Sequence, residues 1–215
     1  MKNCPVILIL TFLFLFAAQT SAQDWKISDY LKNLPKEFKV FSGDFSSEVS
    51  EETTLIDDKN GYAAFYDQPV KYEAAFPIFE MAVFKKANGE QILVVSNSII
   101  DPVCTAYKTF FLQKSGEDWI DVKAKVLPKL PPEIFFDTAK TAQDFIETQK
   151  KIGNSTDLDL HFSPPRQGTK MNVKLDICDY VPDDLSGEID FQKFIDKSKI
   201  VLLVWDKKTG SFIFK

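Results

Sequence analysis

Apolar and polar positions along the chain fall into short runs separated by polar turns, and the turns carry lysine and glycine. Four segments share this form, over residues 55–62, 84–92, 112–119 and 205–212, with Gly61, Gly89, Gly116 and Gly210 at their turns. Glycine supplies the positive φ that a tight hairpin needs, and the Asn-Gly pairs at Asn60-Gly61 and Asn88-Gly89 are strong hairpin signals. The flanking runs read as strands. Phe79, Met81 and Val83 share one parity, and 92–95 is apolar on both faces, as in a central strand. Residues 107–112 are rich in β-formers, and 200–205 is apolar nearly throughout. Leu158, Leu160 and Phe162 alternate with Asp159 and His161. Pro164, Pro165 and Gly168 mark a longer turn after them.

Helical spacing appears in three places. Ile27, Tyr30, Leu31 and Leu34 share one face, and Pro35 ends that helix. Ala142, Phe145, Ile146 and Ile152 form a second face. Thr141 and Asp144 stand at capping-box spacing, and Gly153 follows the last turn. Phe191, Phe194 and Ile195 suggest a short third helix. The pattern predicts an α+β fold that is mostly β. It is an antiparallel meander of hairpins, as one curved sheet or two packed sheets, with two or three short helices covering one face or end. The proline-rich stretch 128–132 reads as a rigid connector, and 46–54 as a long loop or irregular edge.

The first segment reads differently. A short positive start at Lys2 precedes an apolar run over 5–18, and Thr20 and Ala22 are small residues spaced as a signal peptidase requires. The run is too short to cross a bilayer. The expectation is a cleaved leader over 1–22 and a single β-rich domain over 23–215, secreted or periplasmic, with no span after cleavage. Loss of Lys2 takes the net charge from −5 to −6. Two cysteines remain in the mature chain, Cys104 and Cys178. An oxidising compartment favours their pairing. The bridge would enclose about 75 residues and stabilise by about 4 kcal/mol in the chain-entropy view.

Composition narrows the classes. With 215 residues, 45% hydrophobic and 27% charged, the chain is neither disordered nor collagen-like. A pI near 5.0 argues against nucleic acid as the main partner. No glycine-rich phosphate loop is present among only eight glycines, so no nucleotide cofactor is expected. The Asp57-Asp58 segment fails as a calcium loop because Ile56 falls where the first ligand belongs. Asn154-Ser155-Thr156 is a glycosylation sequon.

The one histidine limits catalysis. His161 shares strand parity with Asp159, so a carboxylate-held base is one candidate. The plainer expectation is a polar pair on the solvent side of a strand. Aromatics are abundant, with 20 Phe, 6 Tyr and 3 Trp. Trp119, Trp205, Tyr62 and Phe212 stand at hairpin turns, where exposed rings would stack on sugars or fill a partner's pockets. Core filling is the competing use of the same residues. These readings lead to an exported, non-enzymatic module that binds a protein or glycan. Two alternatives are a hydrolase using Asp159 and His161, and a small-molecule carrier with an apolar cavity.

Overall fold

The structure, a computed structural model, describes residues 24–39, 54–66, 76–100, 106–153, 158–177 and 190–215. The expected leader over 1–22, the stretch 46–53, the sequon's Asn154, Ser155 and Thr156, and the expected disulfide pair, Cys104 and Cys178, lie outside these residues.

The expected fold is present: a mostly antiparallel β protein with short helices. Helix α1 (Ile27–Asn33) comes first. The Asp29 carboxylate accepts from the Lys26 amide at 3.0 Å, which secures its first turn, and Pro35 stops it. A 3-10 turn, Lys36–Phe38, follows. Six strands then run as a meander: β1 (Thr54–Asp57), β2 (Tyr62–Tyr66), β3 (Phe76–Lys85), β4 (Gln91–Ile100), β5 (Ala106–Ser115) and β6 (Asp118–Asp121). Each pairs antiparallel with the next, so the sheet order equals the chain order. Next come α2 (Lys123–Val126), a 3-10 turn at Pro132–Phe135, and α3 (Ala139–Lys151). The chain closes with β7 (Leu160–Ser163), β8 (Lys170–Leu175), α4 (Gln192–Ile195), β9 (Val201–Asp206) and β10 (Ser211–Phe214). These four strands form a second sheet of order β10-β9-β8-β7.

The four glycine turns join β1 to β2, β3 to β4, β5 to β6 and β9 to β10. At two of them space is tight as well. At Gly61 (φ +66°) an added Cβ would sit 3.3 Å from that of Val83, and at Gly210 (φ +67°) it would run into the Lys86 side chain at 2.7 Å. The Ala87 amide donates to the Lys207 carbonyl at 2.8 Å, which ties the β3–β4 turn to the β9–β10 turn.

Alternation decides which face each residue serves. Tyr62, Ala64, Ala82, Phe84, Ile92, Val94 and Phe111 bury one face of the six-stranded sheet against Phe162, Met171, Val173, Leu203, Trp205 and Phe212 of the smaller sheet. Phe135, Phe145 and Phe194 from the intervening helical segments join the same core. The opposite face of the large sheet carries Ala63, Phe65, Phe79, Met81, Leu93, Val95 and Leu112, and α1 covers it with Ile27, Tyr30 and Leu34. The large sheet is therefore buried on both faces, which explains the unbroken apolar run of β4. Two expectations are corrected here. The helices do not share one side, because α1 lies across the large sheet from the others. The cap of α3 is Thr138, whose hydroxyl accepts from the Thr141 amide at 3.1 Å, not the Thr141–Asp144 pair.

Candidate functional site

Three of the four turn aromatics are core residues. Tyr62, Trp205 and Phe212 are each less than a twentieth exposed. Trp205 packs on Phe84 and Phe212 with centroids 5.5 and 5.0 Å away, and its indole N–H donates to the Lys85 carbonyl at 2.8 Å. The Tyr62 hydroxyl donates to Glu80 Oε1 at 2.6 Å. The strand-end position suggested exposure, but the second sheet covers these rings, so no stacking platform forms from them. Trp119 alone stays half-buried.

Trp119 belongs to a cluster on the other face of the large sheet. Its ring meets Trp25 at 6.5 Å and Tyr30 at 5.9 Å, both edge to face. The Lys114 ammonium lies 5.0 Å from the Trp25 centroid and 5.3 Å from that of Trp119.

His161 stands elsewhere, on the edge strand β7. Its ring stacks on Tyr107 with centroids 4.1 Å apart and planes 16° apart. Lys174 is its cross-strand neighbour. Burial, with Lys174 adding to it, pushes the imidazole down to about 4. The next row pairs Asp159 with Asp176, whose amide donates to the Asp159 carbonyl at 2.8 Å. Burial and the Asp159 charge raise Asp176 to about 6. No hydrogen bond joins His161 to Asp159 among the described residues. The imidazole is held by a phenol face and faces a cation, which is not how a carboxylate orients a base.

The described residues do enclose a cleft of about 480 Å³ at a different place. Six separated segments supply its walls: residues 24–27, the β1–β2 turn (58–61), the end of β3 (83–85), Gln91, the β7–β8 loop (Gly168, Thr169) and the β9–β10 end (Trp205, Lys207). One side is fixed by Gln91, the first residue of β4 and only 7% exposed. Its Oε1 accepts from the Trp25 amide at 3.1 Å and the Tyr30 hydroxyl at 3.0 Å. Its Nε2 donates to the Trp25 carbonyl at 3.1 Å and to Asp24 Oδ1 at 3.2 Å. All of the amide's main hydrogen-bonding capacity is thus spent on holding residues 24–30 to the sheet. Burial raises the Tyr30 hydroxyl to about 12, with the Asp24 charge contributing, so it stays a donor to Gln91 at neutral pH.

Asp24 also ion-pairs with Lys85. Asp58 accepts from both the amide and the hydroxyl of Ser28 at 3.0 Å, which holds its carboxyl below its usual range and ties the β1–β2 turn to α1. Lys26, Lys59, Lys85 and Lys207 bring four ammonium groups to the same cleft. Its lining is mixed: half-buried Trp25 and the apolar Ile27, Val83, Phe84 and Trp205 stand beside charged and polar residues. The charged groups set it apart from the apolar cavity that a carrier of a greasy ligand requires. Trp25 and Gln91 were not evident from sequence, because the first precedes the helical pattern and the second stands at a hairpin start 66 residues on.

Neither protein-family models nor curated proteins match the chain. Among solved structures, the fold is similar to a domain of an uncharacterized protein from Porphyromonas gingivalis W83. The TM-score is 0.51 at 12% identity, over 75% of this chain and 73% of that one. At that identity the likeness is one of fold, and function has to be argued from the site.

Proposed function

We propose that the protein is an exported binding module that takes a glycan in the cleft beside Trp25. The observation that carries this reading is the cleft itself. Its volume falls in the range of small-ligand sites, and it sets half-buried Trp25 beside residues that carry carboxylate, hydroxyl and ammonium groups. Sugars present apolar C–H faces and hydroxyl edges, and this combination answers both. Rigidity supports the reading too. Gln91 holds Trp25 by main-chain bonds, and Ser28 holds Asp58, so the ring and the polar groups are set before a ligand arrives. Export rests on the N-terminal leader pattern of the sequence.

A glycan-array screen of the exported protein tests the reading, followed by fluorescence titration of any hit. Binding should perturb tryptophan emission, and Trp25→Ala should weaken it on the order of tenfold or more. A protein that binds no glycan, or whose Trp25→Ala variant binds as before, contradicts it.

A further inference from the structure

We infer that the glycan carries negative charge: the cleft selects sugars bearing carboxylate or sulfate groups over neutral ones. This rests on the glycan-binding reading above and concerns the same cleft. Four lysines line it against two aspartates.

The two carboxylates are also already engaged. Asp24 is taken by Lys85 and by the Gln91 amide, and Asp58 by the amide and hydroxyl of Ser28. Lys59 and Lys207 make no ion pair among the described residues. They come from two different turns, one ending in Gly61 and the other in Gly210, and face one space. Lys114 adds a further cation against Trp25. An anionic group entering the cleft meets Lys59 and Lys207, and charge-assisted hydrogen bonds are the stronger kind.

A short acidic sugar segment places its charge on the lysines and its ring against Trp25.

The test compares four probes on the intact exported protein: an oligogalacturonate, a sulfated chondroitin tetrasaccharide, neutral maltohexaose, and polyglutamate as a polyanion without sugar. At least one acidic sugar should bind on the order of tenfold more tightly than maltohexaose, and its affinity should fall as salt rises. The double substitution Lys59→Ala and Lys207→Ala should remove most of that preference, with an unchanged melting temperature, because both side chains are exposed in turns. Equal affinity for maltohexaose overturns the charge preference and leaves the cleft as a glycan site; equal affinity for polyglutamate overturns the sugar requirement and leaves a site for anions in general. Loss of preference only on Trp25→Ala, and not on the lysine variant, overturns it as well. If the glycan array and these four probes all fail to bind, the glycan reading falls with it.

Discussion

Gln91 shows how much of the cleft depends on one side chain. It is buried at the start of a strand, yet its amide has no role in the sheet ladder. Its four contacts go to Asp24, Trp25 and Tyr30 instead. Leucine has a similar shape and none of the polarity, so Gln91→Leu leaves a buried hydroxyl and two main-chain groups unpaired. The expected cost is about 2–3 kcal/mol in denaturant unfolding, together with a red shift of Trp25 emission. An unchanged midpoint and unchanged emission would show that residues 24–30 are held by packing alone.

The cluster on β7 and β8 makes a different prediction, about pH. Asp176 has a carboxyl at about 6 in the fold and 3.8 when free. Between those values the folded protein holds a proton that the unfolded chain has lost, so its contribution declines as pH rises. His161 stands at about 4 in the fold and 6.5 when free. Over that window the unfolded chain takes a proton that the fold refuses, so stability climbs with pH. The two opposing effects overlap between about pH 4 and pH 6. Relative to the parent protein, Asp176→Asn should gain stability as pH rises over this window, and His161→Gln should lose it. After screening at these half-buried sites, each difference is about 1–2 kcal/mol. Parallel pH profiles for parent and both variants would contradict the assignment.

At the scale of elements, the hairpins were legible because each depends on local chemistry. Gly61, Gly89, Gly116 and Gly210 all adopt positive φ, and the strands on either side alternate as the sheet faces require. Helix α1 was legible from its apolar face and Pro35. The four-residue α2 and the 3-10 turn at Pro132–Phe135 left too short a periodicity to read, and the prolines there suggested only a connector. The burial of Tyr62, Trp205 and Phe212 was not legible either. Parity along one strand gives a face, but which face a second sheet covers depends on pairings far apart in sequence. The cleft was hidden for the same reason, since its walls come from six segments. Seven residues make a helix too short to persist alone, so α1 exists through its contacts with the large sheet. Ile27 is fully buried there. Ile27→Ala should cost about 2–4 kcal/mol by chemical denaturation. A loss below about 0.5 kcal/mol would mean that α1 is not docked as described.

For the whole molecule, the arrangement has a consistent logic. One large sheet is covered by a smaller sheet on one side and by α1 on the other, and the turns of both sheets meet residues 24–27 at one rim. Four lysines stand at that rim. The tryptophan, the clamped amide and these lysines converge there, whereas His161 and its acidic neighbours sit on another strand edge. The proposed ligand site is therefore this one rim. Backbone and indole NMR shifts recorded during titration with a glycan that binds test it most directly. The largest changes should fall on the Trp25 indole and on the amides of Gly61, Gly168 and Thr169, with Tyr107 and His161 unmoved. Changes centred on Tyr107, His161 and Asp176, with the Trp25 signal still, would place the ligand elsewhere and contradict the account.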